Sequence, residues 1–268
     1  MKRKLKSWAG RILYGSGLYR RWFRNRAVIV LFHRVDDRLR DDPISCTVDE
    51  FRASCEFFKR YFRVISLPEL LDRLQRGDDI SRCLVVTFDD GYLDNYTNAG
   101  RVLKELSLPA CFFVATGLIG SDHVPWWDEK LSFKPGWMSW DQVRALDAGG
   151  FDVGAHTVTH IDMGKEDQAT VDREIRESKR QLEAELGKPV GLFAYPFGGR
   201  AQITEGARES VRTAGFRCCL SAFGGDVIPG DNPFRVHRTP ISPYYRTAYQ
   251  FGFELAVEAP RAVEVGPA

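Results

Sequence analysis

Short apolar runs alternate with helix-period segments along most of the 268-residue chain, and this alternation limits the fold more than any other feature. Strands that alternate with helices form parallel sheets, because two parallel neighbours need a crossover between them. About seven or eight parallel strands predict an α/β fold, a closed or nearly closed (β/α) barrel with surrounding helices; a doubly wound open sheet is the alternative. The predicted strands are 27–32, 64–66, 83–88, 110–115, 151–155, 191–195, 216–221 and 234–238.

The segments between these runs carry helix and loop signals. Thr47 and Glu50 have capping-box spacing ahead of apolar residues at helical period. Residues 168–186 give the clearest helix pattern, with apolar residues on one face. Residues 117–138 contain Gly, Pro and three Trp residues and predict a long loop over a site. No glycine-rich phosphate-binding loop follows a strand, which argues against a nucleotide-binding fold.

The charge distribution separates residues 1–26 from the rest of the chain. The formal net charge of +2 gives no bulk reason to expect nucleic-acid binding. Residues 1–26, however, contain nine Lys or Arg side chains interleaved with apolar ones, and no acid. This pattern predicts peripheral contact with an anionic membrane surface; a solvated basic arm packed loosely on the domain is the alternative. We therefore predict a basic amphipathic segment over 1–26, one domain over 27–257 and a flexible tail over 258–268.

Targeting and cysteine patterns bear on the cellular compartment. No stretch has the form of a signal peptide, and none reaches the roughly 20 apolar residues that a transmembrane helix needs. The six cysteines lie mostly in apolar segments without a C-x-x-C pair, which is typical of reduced core thiols. We expect a cytoplasmic protein, or one at the cytoplasmic face of the inner membrane.

Polar residues collect where the predicted strands end. In a (β/α) barrel the reactive groups lie just past the carboxyl ends of the strands. Four of the five histidines occupy such positions, which randomly scattered surface histidines would not do. The residues at or near strand ends are His33, Asp89, Asp90, His156, His160, Pro196, Phe197, His237 and Arg238.

Two of these groups have the composition of a metal site. Asp89 and Asp90 are adjacent, so on an extended segment one carboxylate can bind a metal while the other faces a substrate; an Asp-Asp-Gly turn is the alternative. His156 and His160 are four residues apart and can grip one ion from a helical turn, although such a pair also occurs in ordinary loops. Two histidines and one carboxylate together form a facial metal site with open positions.

Three motifs extend this pattern to a known family. They are TFDDG at 87–91, HTVTH at 156–160 and FAYPFGG at 193–199. With them, from about residue 27 to about residue 240, the chain resembles the polysaccharide deacetylases of the NodB-homology group, carbohydrate esterase family four. The resemblance implies a distorted (β/α) barrel. It also implies that Asp90, His156 and His160 bind a divalent ion, usually Zn²⁺ with Co²⁺ or Ni²⁺ as alternatives.

The resemblance implies further roles. Asp89 would be the general base, and backbone N–H groups near Phe197, in the stretch Tyr195–Pro196–Phe197, would bind the oxyanion. The usual family pattern has an arginine that tethers the base where this chain has Ala194. We expect Arg238 to replace it. Trp140 is a candidate for stacking on a sugar ring, or for packing at a helix start, and Tyr195 either lines the pocket or simply ends a strand.

The catalytic acid is the second departure from the family pattern. The usual late leucine–histidine motif is not evident, and His237 belongs to the different context RVHRTP. The branch that acts on poly-N-acetylglucosamine has a circularly permuted barrel and takes its acid from a first-strand "HRV" context, which LFHRV matches at residues 31–35. We therefore predict that His33 is the acid, with His237 as the alternative.

These features favour a metal-dependent hydrolase that removes N-acetyl groups from amino sugars of a polysaccharide or its precursor. One alternative keeps the chemistry but acts on a lipid-linked sugar at the membrane surface, as a deacetylase or deformylase. A non-catalytic sugar-binding module is an alternative of another class, and a base at Asp89 beside a full ligand set argues against it. The sequence leaves the sugar, the metal and the oligomeric state open.

Overall fold

A computed structural model describes residues 2–40, 42–241, 243–245 and 247–257. The strands are β1 (Ala27–Phe32), β2 (Arg34–Val35), β3 (Ser45–Cys46), β4 (Arg63–Val64), β5 (Cys83–Phe88), β6 (Cys111–Val114), β7 (Asp152–Ala155), β8 (Leu192–Ala194), β9 (Cys218–Leu220) and β10 (Thr239–Pro240). The helices are α1 (Lys2–Gly15), α2 (Tyr19–Trp22), α3 (Val48–Tyr61), α4 (Leu67–Arg76), α5 (Arg101–Leu106), α6 (Trp140–Ala148), α7 (Gln168–Leu186), α8 (Glu205–Thr213) and α9 (Ala248–Val257).

Seven parallel strands form a curled sheet, a half-barrel surrounded by helices, in the order β10-β1-β5-β6-β7-β8-β9. An eighth strand, β4, pairs with the first half of β5. Side chains alternate across the sheet. In β1, Val28 and Val30 pack with the surrounding helices, whereas Ala27 and Ile29 belong to a second apolar cluster on the other face of the sheet. The predicted (β/α) barrel is confirmed, and burial on both faces explains why its strands are continuous apolar runs.

The segment 236–240 joins the two edges of this sheet. Val236 pairs with Leu220 of β9, and Thr239–Pro240 pairs with β1. The predicted strand at 234–238 is therefore misplaced by several residues. Pro233 begins a 3₁₀ turn that Asn232 caps through the Phe234 N–H, so extended backbone starts only after this turn.

Most local signals agree with the structure. Thr47 and Glu50 form the predicted capping box at the start of α3, and the predicted helix at 168–186 is α7. Residues 117–138 contain no regular helix and no strand longer than a bridge, as predicted for a long loop. The short parallel pair of β2 and β3 was not predicted, because two-residue strands leave no periodic signal. All six cysteines are buried and unpaired.

The N-terminal segment packs on the domain instead of forming a loose arm. Tyr14 of α1 is buried, and its hydroxyl donates to the Gly252 carbonyl of α9. Gly10 makes the approach possible, since a Cβ there would lie 2.0 Å from the Tyr249 carbonyl oxygen. Phe23 is also fully buried. Within the described ranges no helix combines the length and the apolar character needed to cross a membrane. The predicted tail at 258–268 lies outside the described residues.

Candidate metal centre and active-site cleft

The carboxyl ends of β1, β5, β7 and β8 open into one cleft of about 420 Å³. Parallel strands bring these ends to the same edge of the sheet, which is why residues distant in sequence meet here. The cleft is lined by Leu31, His33, Arg34, Asp42, Pro43, Ile44, Asp89, Asp90, Trp126, Trp127, His156, His160, Phe197, Ala222 and Pro240.

Asp90, His156 and His160 form a compact cluster of metal-ligand type. One ligand atom from each residue can be chosen so that all three lie within 4.8 Å of one another. Asp90 Oδ1 lies 3.4 Å from His156 Nε2 and 3.2 Å from His160 Nε2. Burial would raise the pKa of Asp90, but the two imidazoles lower it well below its usual range, so the carboxylate is charged.

The surroundings of His156 orient its ring for a cation. Its Nδ1 lies 2.8 Å from the carbonyl oxygen of Ala194. A carbonyl only accepts, so Nδ1 carries a hydrogen and Nε2, which faces Asp90, is the nitrogen left to bind an ion. Burial would lower the pKa of His156, but the Asp89 and Asp90 carboxylates raise it above its usual value. Asp90 Oδ1 is buried, and no described group satisfies it with a hydrogen bond. Two imidazole nitrogens and an unsatisfied carboxylate oxygen are a donor set that fits a divalent transition metal.

Backbone strain is concentrated around this cluster. Seven described non-glycine residues have positive φ, and four of them lie at the cleft: Asp90 (76°), Thr157 (64°), His160 (58°) and Phe197 (58°). Such conformations cost about 1–3 kcal/mol each and persist where the surrounding structure holds them in place. The left-handed backbone at Asp90 turns the chain immediately after β5.

Arg238 holds the side chain of Asp89 in place. Two parallel hydrogen bonds of 2.7 Å join the Arg238 Nη1 and Nη2 groups to Asp89 Oδ1 and Oδ2. Both side chains are buried, and Arg238 also donates from Nε to the Ser221 carbonyl. Asp89 Oδ2 lies 3.9 Å from His156 Nε2, so the base candidate borders the metal-ligand cluster without belonging to it. A bidentate pair of this kind fixes the orientation of the carboxylate.

The structure separates the two candidate acids. His33 lines the cleft, and its backbone carbonyl accepts a 2.7 Å hydrogen bond from Asn95. Burial lowers the pKa of His33, although the Asp90 and Asp89 carboxylates act in the opposite direction. His237 lies outside the cleft, with Nδ1 3.2 Å from Ser221 Oγ and its ring against Phe223.

Three predicted substrate residues do not line the cleft. Tyr195 is buried in the core with its hydroxyl donating to Cys219 Sγ, because strand alternation puts it on the same side as Phe193. Burial raises the pKa of this hydroxyl. Trp140 begins α6 and packs against the hydrophobic core. Pro196 is buried and only its neighbour Phe197, 42% exposed, reaches the cleft.

A polar network in the wall of the cleft had no clear sequence signal. Buried Arg34 forms ion pairs with Asp128 at 2.5 Å and Asp42 at 2.8 Å. Asp128 accepts a hydrogen bond from the Tyr92 hydroxyl, which accepts one from Trp127 Nε1. The Trp127 ring lies 4.8 Å from the His160 ring. Arg34 follows His33 directly, but its partners come from loops without periodicity.

Comparison with known proteins identifies the class of protein that this fold and cleft define. Residues 76–219, more than half of the chain, match the family model described as polysaccharide deacetylase. The chain belongs to this family, whose members are hydrolases acting on carbon–nitrogen bonds.

Individual relatives agree with this assignment. Bacillus subtilis (strain 168) YxkH is 23% identical over 162 residues, which is 60% of this chain and 52% of YxkH, so this chain spans about half of that protein. A poly-beta-1,6-N-acetyl-D-glucosamine N-deacetylase of Staphylococcus aureus (strain MSSA476) is 23% identical over 211 residues, 74% of this chain and 68% of that enzyme. IcaB from Ammonifex degensii superposes with a TM-score of 0.73 at 25% identity, covering 87% and 97% of the two chains. The predicted polysaccharide deacetylase family is confirmed, and the likeness to IcaB and to the Staphylococcus aureus deacetylase matches the predicted poly-N-acetylglucosamine branch.

Proposed function

We propose that this protein is a metal-dependent N-deacetylase of amino sugars in a polysaccharide of the poly-N-acetylglucosamine type, or in its precursor. One observation carries the proposal. Asp89, fixed by Arg238, borders the buried cluster of Asp90, His156 and His160 in an open cleft. The likeness to the Staphylococcus aureus deacetylase supports the class of substrate.

The chemistry divides among the residues of the cleft. Asp90, His156 and His160 would hold a divalent ion, most simply Zn²⁺, with Co²⁺ or Ni²⁺ also suited to such ligands, and this ion would supply Lewis acidity toward the acetyl carbonyl. Asp89 takes a proton from the attacking water as its oxygen bonds to the carbonyl carbon. The carbon–nitrogen bond then breaks, and His33 delivers a proton to the departing amine nitrogen, so acetate and a free amino sugar result.

The walls of the cleft suit a sugar chain. Trp126 is 69% exposed. The Trp127 ring stands nearly perpendicular to the rings of Trp126 and Phe197, whose centres lie 5.5 and 6.0 Å from its own. Aromatic faces of this kind stack on the apolar faces of sugar rings while leaving hydroxyls in water. The Phe197 backbone N–H is our candidate donor to the developing oxyanion.

Paired aspartate variants test the assignment. Asp89→Asn should retain about one divalent ion per chain and lose nearly all turnover, because the base is removed while the ligands remain. Asp90→Asn should lose the ion itself. Metal content by elemental analysis and acetate release from a poly-N-acetylglucosamine oligomer measure the two effects. Metal loss in Asp89→Asn but not in Asp90→Asn would mean that the two roles are exchanged, and no bound metal in the wild type would refute the proposal.

A lipid-linked saccharide is the second candidate substrate. It is favoured by the exposed apolar and basic side chains of residues 2–26, which suit a location at a membrane face, such as the cytoplasmic face of the inner membrane. Release of acetate and of formate should be compared between polymeric and lipid-linked acylated amino sugars. Faster turnover of the lipid-linked substrates would select this candidate, and turnover of the polymer alone would reject it.

A further inference from the structure

Helix α1 packs against the domain on one face and exposes apolar side chains on the other. Leu5, Trp8 and Ile12 lie three and four residues apart on α1, and they are 65%, 62% and 48% exposed. The opposite face of α1 is buried through Leu13 and Tyr14. Together with Leu18 and Trp22 these residues, hereafter the N-terminal apolar face, account for five of the eleven large exposed hydrophobic side chains in the described structure.

Cationic side chains surround the N-terminal apolar face. Residues 1–26 contain nine Lys or Arg and no acid, whereas the whole chain has a net charge of +2, so residues 27–268 carry a net charge of −7. Lys6 and Arg26 form ion pairs with the body of the domain. Across the described ranges, no carboxylate pairs with the exposed side chains of Lys4, Arg20 or Arg21.

Part of this charge lines an open groove of about 530 Å³ beside Trp8. Arg3 and Arg11 contribute guanidinium groups that lie over the rings of Tyr244 and Tyr249, 4.5 and 5.1 Å from the ring centres. Lys4 adds an ammonium group, and Ser7 shares a 2.8 Å hydrogen bond with Thr247 across the groove floor. Stacking holds the planar donors in place, which favours binding of an anionic phosphate group.

We propose that the N-terminal apolar face and its basic border form a membrane-binding surface for anionic phospholipids. Trp8 and Leu5 insert at the level of the headgroups, where amphipathic Trp rings are favoured, and the Lys and Arg side chains contact lipid phosphates. Binding needs no folding step because Tyr14 already holds α1 against α9. The proposal stands whether the sugar substrate is polymeric or lipid-linked.

The charge and the apolar character of this face argue against a second copy of the chain or a nucleic acid as its partner. A second copy would bring its own nine cations against the first nine, which costs energy at close range. A nucleic acid would satisfy the charges but would leave Leu5, Trp8 and Ile12 exposed, since phosphate contacts need no apolar face. An anionic bilayer satisfies both the charges and the apolar side chains.

Vesicle sedimentation of the full chain tests the proposal. The wild type should bind vesicles of phosphatidylcholine mixed with phosphatidylglycerol, and much less those of phosphatidylcholine alone. Leu5→Ser/Trp8→Ser should weaken binding at least about tenfold, because both side chains lose the apolar surface that they bury in the bilayer. Val124→Ser/Ile228→Ser, which removes exposed apolar side chains elsewhere, should leave it unchanged.

A matched pair of charge variants separates local from bulk electrostatics. Lys4→Gln/Arg11→Gln/Arg20→Gln should also weaken binding about tenfold or more, since each cation near the surface adds to the attraction by anionic lipids. Arg173→Gln/Arg176→Gln/Arg180→Gln removes the same charge from exposed positions on α7 and should have little effect. Circular dichroism and deacetylation of a soluble oligomer check that the variants fold.

Three results would overturn the proposal. The first is equal vesicle binding by the wild type and by Leu5→Ser/Trp8→Ser. The second is a dimer in light scattering that only this variant abolishes. The third is tighter binding of the protein to DNA than to anionic vesicles. Failure of deacetylation with intact vesicle binding would count against the proposed enzymatic function alone.

Discussion

His33 lies in the cleft with Asp89 and Asp90, outside the cluster of metal-ligand type, and this position suits a group that moves a proton. Asn95 fixes its backbone from the carbonyl side. His237, the other candidate, stands beside Ser221 and Phe223 away from the cleft. Position in the fold, which the sequence pattern alone left open, separates two histidines of equal intrinsic chemistry.

Replacement of the two histidines should therefore have unequal effects. His33→Ala should reduce kcat by about 10²–10⁴-fold, the usual contribution of a positioned acid, without loss of bound metal. His237→Ala should change kcat only a few-fold. Steady-state deacetylation with metal quantification in each variant measures both. The reverse ranking would assign the acid to His237.

Asp94 makes stability depend on pH. It is buried, accepts hydrogen bonds from the Val35 N–H and from Asn95, and burial raises its pKa to about 6, above the usual 3.8. A raised acid pKa contributes stability that is present below pH 3.8 and lost as the pH rises through about 6. The charged Asp94 carboxylate therefore lowers the stability of the fold at neutral pH. The same residue ties β2, next to His33, to the segment after β5.

Asp94→Asn should accordingly stabilise the protein at high pH. The amide keeps an acceptor oxygen and carries no charge, so the free energy of unfolding at pH 8 should rise by roughly 1–3 kcal/mol. The gain should vanish near pH 4, where the wild-type carboxyl is neutral. Urea unfolding at both pH values measures it, with exposed Asp122→Asn as a control for charge. A variant that is less stable at pH 8 would contradict this account.

At the scale of elements, the segment 236–240 both closes the sheet and supplies Arg238. Val236 pairs with β9 and Thr239 with β1, so the guanidinium between them is fixed by backbone pairing on both sides. The oxygen atoms that surround this guanidinium come from Asp89, Ser221 and Thr87. The orientation of Asp89 thus depends on strand closure.

Removal of the Arg238 guanidinium should destabilise the protein. A double variant shows how much of this effect comes from the pairing with Asp89. Arg238→Met should lower the free energy of unfolding of chelator-treated protein by about 3–5 kcal/mol, because a buried carboxylate loses its partner. In Asp89→Asn/Arg238→Met neither partner is charged. The decrease in the free energy of unfolding should then be smaller than the sum of the decreases in the two single variants by at least about 1 kcal/mol. Urea unfolding of all four proteins measures the coupling. Additive losses would show that the pair does not act as a unit.

The sequence predicted those parts of the fold and cleft that follow from repeated local patterns. β1 and β5 are buried on both faces and have long apolar runs, so their ends, and with them His33, Asp89 and Asp90, could be placed. The sequence left the place of Tyr195 open between pocket and strand end, because a three-residue strand gives too little alternation to show which face it occupies. The Arg34–Asp128 pair joins residues 94 positions apart through a loop without periodicity, and no local rule predicts such a contact.

At the scale of the whole molecule, the metal-ligand cluster links distant parts of the chain. Asp90 follows β5, His156 and His160 follow β7, and the Ala194 carbonyl that orients His156 ends β8. An ion that binds these residues binds only the folded arrangement, so its binding free energy adds to the stability of the entire sheet. Asp90 Oδ1 is buried without a hydrogen-bond partner among the described residues, and a bound ion would satisfy it.

Metal binding should therefore raise the melting temperature of the whole domain in one transition. At a free Zn²⁺ concentration of about 100 times its Kd, the added stability is about 2.7 kcal/mol, which corresponds to a rise of roughly 5–10 °C for a domain of this size. Differential scanning calorimetry of chelator-treated protein, with and without Zn²⁺, measures it. Asp89→Asn and His237→Ala should keep the shift, whereas Asp90→Asn and His160→Ala should lose it, because only the latter pair removes a ligand. An equal shift in all four variants would place the ion elsewhere in the chain.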